Sequence, residues 1–202
     1  SSIKLMAESL LDLEDESRRE EVRIIESSCE TMQRMIDDLF VLSKLSKDQI
    51  IYEETWINEI VEMALNECRF DLQSRRVSVN IMKNLPKLPV ARIWMIELLK
   101  NLITNAIKYN TAPVPAIEFG GLTDARGFYV KDNGIGIPKE YQSELFHIFF
   151  RVPNGLNAKG TGMGLYLVKQ VMDIHKGSVE LVSDEGKGTT FNLRFPAPGA
   201  KF

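Results

Sequence analysis

Two asparagines and a lysine recur at spacings that place them on one face of a predicted helix. The segment from Ile93 to Tyr109 is predicted to be helical, and it carries Asn101, Asn105 and Lys108 four and then three residues apart. Residues at these spacings are neighbours on an α-helix. Amide oxygens are ligands for Mg²⁺ and an ammonium group binds phosphate, so this face could hold a metal-bound phosphate. An amphipathic helix with a polar surface could show the same pattern without a ligand.

A second candidate motif directly follows a predicted strand. Residues 132–138 read Asp-Asn-Gly-Ile-Gly-Ile-Pro. A carboxylate at the end of a strand could accept a hydrogen bond from the amino group of adenine, a donor that guanine does not offer at that edge. Gly134 and Gly136 would let the backbone approach a flat ring. Because Asp-Asn-Gly is also common in turns, this motif alone does not decide between a binding site and a turn.

A third candidate motif is a glycine-rich segment that opens a predicted helix. Residues 160–165 read Gly-Thr-Gly-Met-Gly-Leu, and the backbone N–H groups at such a helix start favour phosphate oxygens. The segment is not a dinucleotide-binding fingerprint, because no predicted strand precedes it and position 165 is leucine. It is not a P-loop either, since Thr161 stands where that motif requires lysine.

In their order and spacing, these segments resemble the boxes of the sensor histidine kinases. The resemblance covers about residues 50–196 for an ATP-binding domain and 3–46 for a dimerisation hairpin. The matching segments are the N box at 101–109, the first glycine box at 132–138, the F box at 145–151, the second glycine box at 160–165 and a closing strand signature at 186–191.

The resemblance also implies roles for individual residues. Asn105 would ligate Mg²⁺ and would act with Lys108 in catalysis, while Asp132 would recognise adenine with help from Thr189. A mobile lid over about 139–164 would be anchored by Phe146, Phe149 and Arg151. The residues implied to bind ATP are Asn101, Asn105, Lys108, Tyr109, Asp132, Gly134, Gly136, Ile137, Arg151, Gly160, Thr161, Gly162, Met163, Gly164, Leu165 and Thr189.

The function implied by the resemblance is transfer of the γ-phosphoryl group of Mg-ATP to a histidine of the hairpin, for relay to an aspartate of a response regulator. Hydrolysing members of the wider superfamily carry glutamate four residues before the metal-binding asparagine, where this chain has Asn101. An amide cannot activate water as a base, so transfer is favoured over hydrolysis. A hydrolytic ATPase and a module that binds nucleotide without catalysis are the alternatives.

The acceptor histidine of such a kinase is not evident in the chain. Its two histidines, His147 and His175, lie in the F box and at a predicted helix end. Neither lies on the hairpin, so both are interpreted as structural. The acceptor is expected upstream of Ser1.

The elements that must position these motifs predict an α+β fold. Strands are predicted at 77–81, 116–119, 127–131, 179–183 and 189–195, with helices at 56–72, 93–109 and 165–175 and a linker or short strand at 48–55. Their mixed order favours a two-layer α/β sandwich with helices on one face of a largely antiparallel sheet. The resemblance implies that this sandwich is a Bergerat-type ATP-binding fold.

The N-terminal segment predicts a helical hairpin, with a domain boundary between residues 1–47 and 48–202. An apolar seam runs along its second helix at alternating spacings of three and four, as in a coiled coil, through Val22, Ile25, Cys29, Met32, Ile36 and Leu39. Two such hairpins would form a four-helix bundle in a homodimer. The alternative is a helix that packs on its own domain.

Composition restricts the partners and the compartment. The 202 residues carry a net charge of −3, which argues against binding to nucleic acid or to an anionic membrane surface. Cys29 and Cys68 match no metal or redox spacing and indicate reduced residues in a cytosolic chain. We therefore expect a cytoplasmic module, with no membrane contact of its own, that could belong to a membrane-bound sensor.

Overall fold

The computed structural model describes residues 16–47, 50–123, 126–153 and 160–196. The helices are α1 (Glu16–Lys47), α2 (Ile57–Glu67), α3 (Arg69–Ser74), α4 (Arg92–Lys108) and α5 (Gly164–Ile174), with a short 3₁₀ helix at Lys139–Tyr141. The strands are β1 (Glu53–Trp56), β2 (Ser78–Ile81), β3 (Lys87–Val90), β4 (Ala116–Gly121), β5 (Gly127–Asp132), β6 (Ser178–Ser183) and β7 (Thr189–Arg194).

Five of the strands form one sheet in the order β2-β4-β5-β7-β6. The β2–β4 pair is parallel and the other three pairs are antiparallel. Alternate residues of the strands, such as Ile117 and Phe119 in β4 and Phe191 and Leu193 in β7, are buried in the layer that the sheet shares with the helices. The predicted two-layer α+β sandwich is therefore confirmed.

Helix α4 lies at the centre of the helical layer and packs against both α2 and α5. Its apolar residues are buried, and its polar residues at the predicted spacing face away from them. This separation follows from the 3.6-residue period of the helix. The buried side chains are Trp94, Met95, Leu98, Leu99, Leu102, Ile103, Ala106 and Ile107.

A buried histidine connects the start of α4 to the end of α5. Nε2 of His175 accepts a hydrogen bond from the backbone N–H of Ala91 at 2.9 Å, and Nδ1 donates to the carbonyl oxygen of Val171 at 2.7 Å. Burial lowers the pKa of His175. Both ring nitrogens have partners in the neutral form, so His175 has the structural position expected from the sequence.

Two elements differ from the prediction. Strand β3 was not predicted. Pro89 lies within it and is tolerated because β3 pairs only with β1, in a separate two-stranded sheet. The helix expected over 56–72 is interrupted at Cys68, where α2 ends and α3 begins. The first helix of the predicted hairpin lies outside the described residues.

Helix α1 is packed at one end and exposed along much of its length. Near its C-terminus Leu45 is buried in the sandwich core, with Val41 and Leu42 packed against that core. Of the predicted seam, Val22 is buried and Cys29 is half-buried, whereas the remaining members are exposed, namely Ile25, Met32, Ile36 and Leu39. Within the described ranges no helix combines the length and apolarity needed to cross a membrane.

Candidate functional site

A cavity of about 580 Å³ opens between α4, the end of β5 and the start of α5. All of the residues predicted to bind ATP line this cavity except Gly134 and Met163. The lining therefore joins three motifs that are far apart in the sequence. The predicted residues in its wall are Asn101, Asn105, Lys108, Tyr109, Asp132, Gly136, Ile137, Arg151, Gly160, Thr161, Gly162, Gly164, Leu165 and Thr189.

The two exceptions lie immediately behind the cavity wall. Met163 is buried and immediately precedes α5, where its backbone N–H donates to Oγ1 of Thr161 at 3.3 Å. Gly134 lies against the chain at the end of α4, so that a Cβ atom placed there would be 2.5 Å from the carbonyl oxygen of Tyr109. Both residues therefore shape the wall through the backbone.

Asp132 is held in place by the backbone around it. Oδ1 accepts hydrogen bonds from the N–H groups of Gly134 at 2.8 Å and Thr189 at 3.2 Å. Burial raises the pKa of Asp132, and these two hydrogen bonds act in the opposite direction. The carboxylate is therefore preoriented at one end of the cavity, where it can accept a further hydrogen bond.

Ser183 joins the loop after Asp132 to the β6–β7 hairpin. Its hydroxyl donates to the carbonyl oxygen of Gly188 at 2.9 Å and accepts from the N–H of Ile137 at 2.9 Å. The hydroxyl of Thr189 lies 3.0 Å away. Because the single Ser183 proton goes to Gly188, Thr189 is the donor in that pair. The sequence did not indicate Ser183 as part of the site.

Gly136 is required by the packing of this loop on the hairpin. It has a φ of +67°, and a Cβ atom there would collide with the carbonyl oxygen of Asp184. The N–H of Gly186 also donates to the carbonyl oxygen of Ile135 at 2.6 Å. The glycine therefore permits close approach of two protein segments, in addition to the ligand approach suggested by the sequence.

The opposite end of the cavity carries the amide and ammonium groups of α4. Nδ2 of Asn101 donates to the carbonyl oxygen of Glu97 at 2.9 Å. Its Oδ1 faces Gly164, where a Cβ atom would lie 2.6 Å from that oxygen. Nζ of Lys108 lies 5.1 Å from the ring centre of Tyr109 and beside Gly160. This end brings the α4 face next to the glycine-rich segment.

Several positive charges gather at the same end. The pKa of Lys108 is lowered, first by burial and then by the charges of Arg151 and Arg34. Cations close enough to lower a neighbour's pKa favour binding of an anion. The chemistry of this end therefore suits phosphate groups.

The residues predicted to anchor the lid only partly have the expected packing. Phe146 packs against the core as predicted. Phe149 is 49% exposed and has a positive φ of 64°, whereas its neighbour Phe150 lines the cavity. Gln142 was not predicted to contribute, yet its amide donates to the carbonyl oxygens of Ile137 and Ser183 at 2.8 and 3.0 Å. The lid segment 154–159 lies outside the described residues.

Helix α1 also contributes to the cavity wall, which the sequence did not predict. Arg34 and Asp38 line it, and Oγ1 of Thr161 donates to Oδ2 of Asp38 at 2.6 Å. The only signal in the sequence was that Arg34 and Asp38 are four residues apart and so share one face of a helix. No motif connects α1 to the glycine-rich segment. Other lining residues that were not predicted are Asp71, Thr104, Ile135, Leu145, Phe150, Val152 and Phe191.

The two histidines are not part of the cavity wall. His175 is fully buried in the core, and His147 is exposed, with its Nδ1 2.6 Å from a carboxylate oxygen of Glu144. Among the described residues, no three His, Cys, Asp or Glu side chains cluster in a way that could hold a metal ion. A metal site here would need amide, phosphate or water oxygens.

The fold is an α+β sandwich, and its cavity combines a buried carboxylate with a cluster of cations. The chain matches the description "Histidine kinase-, DNA gyrase B-, and HSP90-like ATPase" over residues 91–199, more than half of its length. The protein therefore belongs to that ATPase family, and the histidine-kinase resemblance seen in the sequence is confirmed.

Curated relatives are sensor kinases of greater length. The methanogenesis regulatory histidine kinase FilI of Methanothrix harundinacea is 30% identical over 97% of this chain and 22% of its own. The sensor histidine kinase WalK of Bacillus subtilis is 31% identical over 86% of this chain and 30% of its own. The chain thus spans less than a third of either relative.

Solved structures share the fold. Full-length ShkA in complex with AMPPNP aligns with a TM-score of 0.68 and 18% identity, over 95% of this chain and 41% of that one. The Acinetobacter baumannii histidine kinase AdeS aligns with a TM-score of 0.64 and 22% identity, over 96% of this chain and 92% of that one.

Proposed function

We propose that this chain is the ATP-binding core of a two-component sensor histidine kinase. It would transfer the γ-phosphoryl group of Mg-ATP to a histidine of the dimerisation hairpin, from which the group passes to an aspartate of a response regulator. The observation that carries the proposal is one cavity with a fixed carboxylate at one end and gathered cations beside a glycine-rich helix start at the other.

The nucleotide is proposed to bind in one orientation. Its adenine amino group would donate to Asp132, next to Thr189, and its phosphates would lie at Lys108 and the backbone of the glycine-rich segment 160–165. The side-chain oxygen of Asn105 suits Mg²⁺, which takes few protein ligands and completes its octahedron with phosphate and water. When bound, the metal would neutralise charge that develops on the transferred group.

The residues before Asn105 support transfer rather than hydrolysis. Asn101 occupies the position one turn earlier, and its amide is hydrogen-bonded to its own helix. Glu97, a further turn back, pairs with Lys100 at 2.9 Å and does not line the cavity. Neither residue would serve as a base toward an attacking water.

The acceptor is proposed to be a histidine other than the two in this chain. His175 is enclosed in the core and His147 is paired with Glu144 in the lid, so neither could be presented in line to the γ-phosphate. Because ATP is a cytoplasmic substrate, we also place the module in the cytoplasm.

Residues 1–47 are proposed to form part of the dimerisation hairpin, and 48–202 the catalytic domain. Exposed apolar residues of α1 would pair with the same face of a second copy. Replacing Ile25 and Met32 with lysine should give a monomer that still binds ATP, as measured by sedimentation and calorimetry. A monomeric unmutated chain at high concentration would contradict the dimer.

Two measurements on the unmutated chain test the kinase proposal. Calorimetry should show Mg-ATP binding, and incubation with radiolabelled ATP should give slow hydrolysis and no label on His147 or His175. Adding an intact hairpin from the full-length protein should produce acid-labile, base-stable label on that hairpin. Absence of Mg-ATP binding, or rapid steady-state hydrolysis, would reject the proposal.

A further inference from the structure

Helix α1 contributes two charged side chains to a cavity that is otherwise built from the sandwich. Arg34 and Asp38 lie one helical turn apart and both line the wall. They fall outside residues 91–199, the part of the chain that matches the ATPase family. The family match therefore assigns them no role.

The position of α1 beside the cavity is fixed by packing and by a hydrogen bond. Leu45 is buried in the sandwich core, and Leu42 shares a small recess with Met163 and Leu167 at the start of α5. Asp38 accepts a hydrogen bond from Thr161 at 2.6 Å. These contacts place this turn of α1 next to the glycine-rich segment, at the end of the cavity that suits phosphate.

The side chain of Arg34 is oriented along its own helix. Nε donates to the carbonyl oxygen of Glu30 at 3.1 Å, and Nη2 lies 3.3 Å from Oγ1 of Thr31. These bonds use two of the five N–H groups of a guanidinium. The group is thus held at the cavity wall with donor capacity that a phosphate could use.

The charges around Arg34 favour an anionic ligand. Its charge and that of Arg151 both lower the pKa of Lys108, after the larger effect of burial. The positive charges of Lys108, Arg151 and Arg34 repel one another, and binding of an anion would reduce this repulsion. Asp38 and Asp71 bring negative charge to the same wall and offset part of this positive charge. A triphosphate would supply the remaining compensation.

We propose that Arg34 binds the phosphate groups of the nucleotide, so that helix α1 completes the ATP site. This inference rests on the proposed nucleotide site and extends it to a helix assigned to the hairpin. ATP affinity then depends on where the hairpin helix lies relative to the sandwich. A movement of α1 would change nucleotide binding without any change within the sandwich.

The test compares Mg-ATP, Mg-ADP and adenosine by calorimetry with the wild type, Arg34→Gln and Arg34→Lys. Arg34→Gln should weaken Mg-ATP about tenfold, because a charge-assisted hydrogen bond is lost, and should leave adenosine unchanged. Arg34→Lys keeps the charge and should recover part of the loss. The matched control is Arg23→Gln, an exposed arginine of the same helix that pairs with Glu20; its affinities should equal those of the wild type.

The outcomes separate this inference from the proposed function. A wild type that does not bind Mg-ATP rejects the nucleotide site itself, and the inference with it. Wild-type binding with an unaffected Arg34→Gln variant rejects only the role of Arg34. Equal loss for adenosine and ATP would show that Arg34 acts through folding, which also overturns the inference. Melting temperatures of all variants identify any that fold poorly.

Discussion

The two ends of the cavity are built by different means. At the Asp132 end, the carboxylate and the hydroxyl of Ser183 are tied to the backbone of the β5 loop and the β6–β7 hairpin. At the Lys108 end, charged groups from three separate segments converge, and the pKa of Lys108 is lowered first by burial and then by the charges of Arg151 and Arg34. The first end is preorganised without a ligand, whereas the second has an excess of positive charge that favours binding of an anion.

This difference between the two ends follows from the ligand that the site would hold. A base is flat and neutral, so its recognition needs one acceptor at a fixed position. A triphosphate carries several charges, so its binding needs cations and N–H groups whose repulsion is relieved only on binding. We therefore expect substitutions at the first end to act on adenine recognition or folding, and those at the second to act on phosphate and metal.

The largest effect is expected from Gly136→Ala, which breaks the preorganised end. The new Cβ atom would collide with the Asp184 carbonyl oxygen at a φ of +67°. Strain and overpacking together should lower the free energy of unfolding by about 2–5 kcal/mol, as measured by urea denaturation. Gly186→Ala is the matched control, because Gly186 also has a positive φ but has nothing within 4 Å of the position that a Cβ atom would take. It should cost only about 1–2 kcal/mol; equal costs would refute the packing role of Gly136.

Asp132→Asn tests adenine recognition at the Asp132 end of the cavity while leaving the fold intact. Binding of both ATP and ADP should weaken by about 1–3 kcal/mol, since the charged acceptor is lost and an amide donor could face the adenine amino group. An asparagine oxygen can still accept from Gly134 and Thr189, so the fold should persist.

The change in folding stability caused by Asp132→Asn should also have a definite direction. Burial raises the pKa of Asp132 in the folded state, so ionisation costs stability as the pH rises through that raised pKa. The asparagine variant lacks this cost and should be at least as stable as the wild type at neutral pH. Asp184→Asn, in an exposed turn, is the control for calorimetry and denaturation. Unchanged ATP affinity in Asp132→Asn would remove this residue from the adenine site.

Asn105→Ala probes the charged end, with an expected loss of about 1–2 kcal/mol in Mg-ATP binding. On the proposed assignment, the variant would lose one oxygen ligand of a metal with strict octahedral preference, so adenosine binding should not change. The measurement is calorimetry across a Mg²⁺ titration, with the exposed Asn80→Ala as control. An identical Mg²⁺ dependence in the Asn105→Ala variant and the wild type would contradict the metal assignment.

The sequence predicted those features that depend on local spacing. The polar face of α4 and the glycine-rich start of α5 could be recognised because helical periodicity and the order of motifs can be read directly from the sequence. The roles of Arg34, Ser183 and Gln142 could not, since they depend on packing between segments that are distant in sequence. Phe149 was predicted as an anchor, but its side chain is 49% exposed and its neighbour Phe150 lines the cavity. No sequence pattern indicates the positive φ of Phe149.

Strand β3 and the break at Cys68 were missed because tertiary structure overrode local preference. Pro89 normally opposes a strand, but an isolated two-stranded pair tolerates it. The apolar pattern of 57–72 continued across the break, and periodicity alone cannot register an interruption of one residue.

We expect the buried imidazole of His175 to make the geometry of the site sensitive to acid. It joins the residue before α4, which carries Asn105, to the end of α5, which begins at the glycine-rich segment. The unfolded chain takes up a proton near the ordinary pKa of 6.5, whereas the folded pKa is lower. Between those two values the unfolded state binds more protons, so stability is fully present above pH 6.5 and declines as the pH falls below it. A protonated ring could no longer accept from the Ala91 N–H, so acid should loosen the spacing between the polar face of α4 and the glycine-rich segment.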